Sequence, residues 1–485
     1  MSFTIKVISG IILIMRVRKE NVMVFKSDNC INKDGSFYLD ENVSAVAHKS
    51  VCKTEILEFF YRCAFTLCKV SAHKSEELIF KIGNNDGIEV GDCDYTISVN
   101  KSGVCVRANT EKDLIRGVVT LAQRVETDDE RIKIDCCEIR DNAKIKVRMA
   151  HFCIFASTKL YELERFIRFC GALKYTHVVL EFWGMLKYDC MKELGWKHAF
   201  TKEQIRPIIE IANAFGMEII PMFNHWGHAS ASRCMHGKHV VLNQNPSLQR
   251  YFSPSGWCWD YDNPKVRELL KKVRAELIDL CGEGEYFHIG CDEAYGFDFS
   301  QKSMSGFCSY LNEIAEDLKG YGRRAIAWGD MFIAKRDWFE SKNSYTCNCK
   351  SEKEETYFLS RLDKSIIIAD WQYDSPVYPV QTSAIFKNYG YDVIICPWDR
   401  GLRESEASVK TAQDGLLGVM HTTWHTLSCG YGYLTLIAQL CHQNDVTKDG
   451  AELCTQSASL LRKAYFTDGD YEKSGWSERE IVEKT

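Results

Sequence analysis

Residues 263–293 read Asn263-Pro-Lys-Val-Arg-Glu-Leu-Leu-Lys-Lys-Val-Arg-Ala-Glu-Leu-Ile-Asp-Leu-Cys-Gly-Glu-Gly-Glu-Tyr-Phe-His-Ile-Gly-Cys-Asp-Glu293. Asn263 before Pro264 is an N-cap followed by proline at the first helical position. Val266, Leu269, Leu270, Val273, Leu277 and Leu280 then recur on one helical face. After a glycine break, 286–289 is short and apolar, as a strand buried on both faces should be. The unit is therefore helix, turn, buried strand, and it ends on two adjacent carboxylates, Asp292 and Glu293.

The same alternation runs outward from this unit. Short apolar stretches at 147–155, 177–182, 218–223, 286–289, 325–328, 366–371, 393–396 and 419–424 make eight candidate strands. Helical stretches separate them, one opened by the capping box Thr201-Lys-Glu-Gln204. Eight β-α repeats over about 300 residues predict a (β/α)8 TIM barrel. A doubly wound open sheet fits less well, because it usually has fewer strands and the first strand is not followed by a glycine-rich dinucleotide turn. Before residue 145 the pattern differs. Residues 95–99 and 104–107 alternate around Asn100-Lys-Ser-Gly103 as a hairpin, and Leu114, Val118, Leu121 and Ala122 form a helical stripe. The expected class is α/β, a barrel preceded by a small α+β accessory domain. The expected divisions are 1–20 as a leader or loosely attached segment, 21–143 as the accessory domain, 144–470 as the catalytic barrel and 471–485 as a polar tail.

Composition excludes several partner classes. With a net charge of −5, 26% charged residues and no long basic run, the chain gives no reason to expect nucleic acid or an anionic membrane. The apolar run 4–15 is too short to span a bilayer, and its basic residues follow rather than precede it, unlike a secretory signal. The 22 cysteines sit mostly within apolar runs, which favours buried thiols in a reducing, cytoplasmic setting. Cys136-Cys137 and Cys347-Asn-Cys349 lack structural zinc spacing, so no metal and no cofactor is expected there.

Barrel sites assemble at the C-terminal strand ends. There the sequence puts Glu181 with Trp183, then Asn224, His225 and His228, then Asp292 and Glu293. Trp328 with Asp330, Trp371 with Tyr373, Trp398 with Asp399, and Trp424 with His425 follow. Aromatic walls around an acidic pair suit a sugar, whose CH-rich faces pack on rings while carboxylates handle its oxygens. Adjacent carboxylates cannot flank one bond from opposite sides, so acid plus enzyme-borne nucleophile is a poor fit. One carboxylate protonating the leaving oxygen while its neighbour holds a nucleophile of the substrate fits better.

His288-Ile-Gly-Cys-Asp-Glu293 on the fourth barrel strand resembles glycoside hydrolase family 20, the β-N-acetylhexosaminidases. The segments 94–104 and 108–118 resemble that family's accessory domain, and Pro221-Met-Phe-Asn-His-Trp-Gly-His228 its third-strand segment. His151 before Cys153, Trp-Gly-His228 and the run to Ala294 look most like the hexosaminidase D branch. The resemblance implies an exo-acting retaining enzyme that removes terminal GlcNAc or GalNAc from a glycan or glycoconjugate. Catalysis would be substrate-assisted, through an oxazolinium intermediate. It implies Glu293 as general acid/base and Asp292 as partner of the 2-acetamido group. Arg148, at the family's substrate-arginine position, is expected to bind the terminal sugar. Trp328, Trp371 and Trp424 are expected around the acetamido methyl, and His228 and His288 to orient the acid.

Departures stand at Cys153 and Asn224, where the family often has acids, and at Trp398-Asp399, where many members have tyrosine before the aspartate. Tyr373 is the candidate for that tyrosine's work. Two alternatives follow from the residues: a carbohydrate-binding barrel without turnover, and a metal-assisted hydrolase using His225, His228, His236 and His239.

Overall fold

The computed structural model describes residues 90–128, 131–230, 240–424, 430–447 and 449–465, with shorter pieces between residues 2 and 82. At the N-terminus, β1 (Ser2–Ile8) and β2 (Ile11–Val17) pair antiparallel as a separate ribbon. A seven-stranded sheet follows. It comprises β3 (Cys30–Leu39), β4 (Ser44–Ala47), β5 (Glu77–Ile82), β6 (Tyr95–Asn100), β7 (Gly103–Ala108), β8 (Glu126–Asp128) and β9 (Arg131–Asp141), in the order β3-β9-β6-β7-β5-β4 with β8 on β9. The expected hairpin is β6–β7, closed at Asn100 and Gly103. Helix α1 (Glu111–Gln123) starts where the Thr110 hydroxyl accepts the Asp113 N–H, 3.1 Å away, and buries Leu114, Val118, Leu121 and Ala122.

Eight parallel strands then close a barrel: β10 (Val147–Cys153), β11 (His177–Glu181), β12 (Glu218–Met222), β13 (Tyr286–Gly290), β14 (Arg324–Trp328), β15 (Ile367–Asp370), β16 (Val393–Ile395) and β17 (Gly418–His421). All eight expected strands are present. Alternate residues fill the interior, among them Met149, Val179, Ile220, Ile326, Ile367, Ile394 and Met420. The opposite faces pack on helices including α2 (Leu160–Ala172), α3 (Lys202–Ala214) and α4 (Pro264–Cys281). The capping box at Thr201 and the Asn263 cap both form, and every expected apolar residue of α4 is buried. Several strands end one to three residues earlier than the apolar runs do. Beyond Cys153, Glu181 and Met222 the ladder survives as single bonds, such as Phe182 N–H to Met222 O at 3.1 Å, while the chain turns away to form loops.

Helix α5 (Gly450–Tyr465) packs against α2. The expected polar tail, 471–485, lies outside the described residues. The sheet and barrel meet at a buried cluster. Lys174 Nζ, 1% exposed, lies 3.1 Å from Asp141 Oδ2 and 3.0 Å from the Tyr95 hydroxyl, and Gln123 Nε2 donates to Ala172 O at 3.0 Å. Among the described residues no helix is long and apolar enough to cross a membrane, and no disulfide links the cysteines.

Candidate active site

The two carboxylates are presented by a strained turn. The β13 register shifts between His288 and Gly290, and Gly290, Cys291 and Glu293 all carry positive φ, of 70°, 82° and 48°. A side chain at Gly290 would meet Asn224 Oδ1 at 1.9 Å, so glycine alone fits there. Strain of this kind persists where surrounding contacts over-determine it. Here the Glu293 N–H donates to Asp330 Oδ2 at 3.0 Å, and Trp257 Nε1 donates to the Glu293 carbonyl at 2.7 Å. His228, itself at φ 54°, places Nε2 2.9 Å from Glu293 Oε2 and 3.6 Å from Asp292 Oδ2. Asp292 is 1% exposed, whereas the Glu293 side chain keeps 23%. The adjacent acids thus have different surroundings, as a division of roles requires.

Asp330 stands among the strand-end residues that the sequence placed at the site without giving it a role. Besides Glu293 N–H, its Oδ2 accepts Asn348 Nδ2 at 2.8 Å, and its Oδ1 accepts Trp371 Nε1 at 3.1 Å. One carboxylate therefore sets both the turn carrying the acids and one aromatic wall. Burial, then the charge of Asp292, pushes its pKa up to about 7, against the hydrogen bonds from Glu293 N–H and Asn348.

The aromatic residues form a continuous surface. Trp371 and Tyr373 have centroids 5.1 Å apart, Tyr373 and Trp398 5.2 Å, and Trp424 Nε1 donates to the Tyr373 hydroxyl. Trp328 is fully buried behind Trp424, 5.2 Å between centroids. Arg400 lies over Trp398, 4.3 Å from its centroid.

Beneath lies a buried polar layer. Glu181 Oε2 is 3.0 Å from His151 Nε2 and 3.1 Å from Cys153 Sγ, and Oε1 accepts Asn224 Nδ2 at 2.7 Å. The departures at Cys153 and Asn224 are therefore correlated: both serve a carboxylate carried by β11. Two donor sets converge within 4.8 Å and could hold a cation, His228 with Asp292 and Glu293, and His151 with Cys153 and Glu181.

Two expected residues are not brought to the acids. Arg148 is the second residue of β10, at the opposite end of the barrel. Its guanidinium donates to the carbonyls of Ile145 (2.6 Å), Lys146 (3.2 Å) and Lys174 (2.9 and 3.1 Å), so it ties the barrel floor and does not face the site. His288 points its ring at Trp328, 4.5 Å between centroids, and its Nδ1 accepts the Gly290 N–H at 3.1 Å. Burial, then His151, lowers its pKa to about 3, so it stays neutral and supports the turn rather than Glu293. His225 is buried against the Phe223 carbonyl at 2.6 Å, and His236 and His239 lie outside the described residues. Asp330 and Glu181 had a sequence signal, their strand-end positions. Trp257 had none, since it reaches the acid from a long loop.

The model of the glycosyl hydrolase family 20 catalytic domain matches residues 179–402, a stretch that contains the acid turn, Asp330 and most of the aromatic wall. Among similar proteins, a lacto-N-biosidase of Bifidobacterium bifidum is 21% identical over 69% of this chain and 31% of its own length. Beta-hexosaminidase subunit A2 of Dictyostelium discoideum is 23% identical over 61% of this chain and 58% of its own. Hexosaminidase D of Bos taurus is 26% identical over 29% and 38%. The chain thus spans less than two thirds of the length of these relatives. Among solved structures, the family 20 exo-β-N-acetylglucosaminidase of Vibrio harveyi superposes with a TM-score of 0.67 at 15% identity, over 95% of this chain and 84% of that one. The β-N-acetylhexosaminidase of Streptomyces coelicolor does so with 0.67 at 15%, over 92% and 97%. These likenesses carry the fold across both the sheet and the barrel.

Proposed function

We propose that this family 20 barrel is a β-N-acetylhexosaminidase that removes terminal N-acetylhexosamine from glycans, with retention and without a cofactor. The observation that carries the reading is the unequal pair: a buried Asp292 beside a more accessible Glu293, the latter held by His228, Trp257 and Asp330. Glu293 donates its proton to the glycosidic oxygen. The substrate's acetamido carbonyl oxygen attacks the anomeric carbon as the C–O bond breaks, and Asp292 stabilises the charge gathering on the acetamido nitrogen. Water then attacks the anomeric carbon, passes its proton to the Glu293 carboxylate and reopens the oxazolinium ring. Tethering the nucleophile makes the attack intramolecular, which removes much of the entropic barrier. Tyr373 is the hydroxyl proposed to meet the acetamido oxygen, beside Trp371 and Trp424. Thiols buried within the fold, such as Cys170 and Cys396, fit a reducing, cytoplasmic setting.

Nitrophenyl β-N-acetylglucosaminide and galactosaminide, assayed with wild type, Glu293→Gln and Asp292→Asn, test this. A natural β-linked disaccharide should lose about 10²–10⁴-fold in Glu293→Gln, the range of general-acid catalysis. A thiazoline analogue of the intermediate should inhibit. Near-normal hydrolysis by Glu293→Gln, or equal turnover of plain β-glucosides by wild type, would overturn the reading. Because His228, Asp292 and Glu293 could hold a cation, a chelator arm is included; loss of activity there would favour metal-assisted hydrolysis.

A further inference from the structure

A polar cavity of about 110 Å³ shares no residue with the acid site. It lies where the chain around Val24, the helix Tyr431–His442 and α5 come together. Its walls carry oxygen: the carboxylates of Asp445 and Glu452, the Thr447 hydroxyl and the side-chain amides of Gln439, Gln443 and Gln456. No described cationic side chain lines it. Hydrogen bonds orient these groups. Thr447 Oγ1 donates to Glu452 Oε2 at 2.7 Å, Gln456 Nε2 to Glu452 Oε1 at 3.2 Å, and Gln443 Nε2 to the Asp445 carbonyl at 2.8 Å. Gln439 Nε2 donates to Val24 O and to Gln456 Oε1, each at 2.8 Å, which fixes its amide. Gln439 is 1% exposed, and its Oε1 is left a buried acceptor with no donor. A buried polar atom of that kind calls for an ion or a water.

Two carboxylates on one small cavity favour a positive charge between them. Calcium takes about six to eight oxygen ligands in flexible geometry, side-chain amide carbonyls and waters among them, whereas magnesium demands a near-ideal octahedron. The irregular set here suits the larger ion. The sequence adds an independent mark. Asp445-Val-Thr447-Lys-Asp449-Gly450 places oxygen side chains at alternate positions before a glycine, as the opening of a calcium loop does. Asp449 itself caps α5, its Oδ1 accepting the Ala451 N–H at 2.8 Å, and Glu452 takes its place at the cavity. The loop is also anchored from outside. Asn444 Nδ2 donates to Asp28 Oδ2 at 2.7 Å, and Lys144 Nζ donates to Asn444 Oδ1 at 2.6 Å. Little ordering is therefore left for an ion to impose.

We propose that Asp445, Thr447, Glu452 and Gln439 Oε1 bind one calcium ion, completed by water, which staples α5 to the helix before it and to the chain at Val24. Binding of this ion does not depend on the hydrolase reading. The full chain, stripped with EGTA, is titrated with calcium chloride by calorimetry and then unfolded thermally with and without the ion. With two carboxylates, one site with a Kd of about 10⁻⁴–10⁻³ M is expected. Calcium raises Tm, EGTA reverses the rise, and magnesium gives less of it. Asp445→Asn and Glu452→Gln each weaken binding about tenfold or more. Both side chains belong to exposed residues, so each variant keeps the Tm that wild type shows in EGTA. Glu293→Gln, in the other acidic set, binds calcium as wild type does. Absence of binding by wild type overturns the site, as does undiminished binding by both loop variants. Loss of binding in Glu293→Gln also overturns it, by placing the ion on His228, Asp292 and Glu293. An equal response to magnesium overturns calcium as the occupant.

Discussion

Asp330 carries a burden out of proportion to its place in the sequence. Its buried carboxylate fixes the left-handed backbone of Glu293 and the indole of Trp371, and it does so within a cluster of acids. A carboxyl whose folded pKa lies near 7, against an ordinary value of 3.8, binds more protons in the folded than in the unfolded state between those limits. Its contribution to stability is therefore complete below about pH 4 and is lost as pH rises through about 7. Denaturant unfolding should show stability declining across this window, and Asp330→Asn should flatten the decline. The same variant keeps an acceptor for the Glu293 N–H but changes the field at Asp292, so its activity should fall while its fold survives. At this scale the sequence was legible where chemistry and strand-end position coincided, as at Asp292, Glu293 and His228. It misled at Arg148, because a side chain that reaches back along its own strand is indistinguishable in sequence from one that reaches forward.

Among the elements, β13 and the turn after it show how local sequence and neighbours share control. The apolar run of β13 predicts the strand, whereas its interruption at Gly290 is seen only in the structure. The packed neighbour Asn224 explains why glycine is compulsory there. Gly290→Ala should cost roughly 1–3 kcal/mol from backbone strain alone, with the clash on Asn224 added. Lower thermal stability together with reduced kcat would be measured, whereas retention of full activity would show that the turn can relax. Thr201→Ala on α3, far from the acids, should cost about 1 kcal/mol through its cap and leave kcat untouched. Helix starts were readable because caps are local hydrogen-bonding devices. Strand ends were less so, because the residues past Glu181 and Met222 are as apolar as the strand and leave the ladder only to build loops.

For the molecule as a whole, the joint between sheet and barrel is the decisive feature. Lys174 sits at φ 60°, with its ammonium 4.0 Å from the Phe25 ring centroid and bonded to Asp141 and Tyr95. Burial tends to raise the Asp141 pKa, but Lys174, the Tyr95 hydroxyl and the Asn142 N–H together hold it below its usual value. Lys174→Ala would strand that carboxylate, and removing one partner of such a pair costs roughly 3–5 kcal/mol. Thermal unfolding should register the loss, with activity on a nitrophenyl substrate little changed below the new transition. The sequence by itself determined the eight-fold β-α alternation, the helix caps, the accessory hairpin and the acidic pair with its aromatic company. Those follow from periodicity, local hydrogen bonding and residue chemistry, each readable within a dozen residues. Only the tertiary structure decided which polar residues face the acids. It set Asp330 and Trp257 on Glu293, gave Glu181 to Cys153 and Asn224, and sent Arg148 to the floor. Such pairings join strands and loops remote in sequence, and barrel closure alone fixes which of them meet.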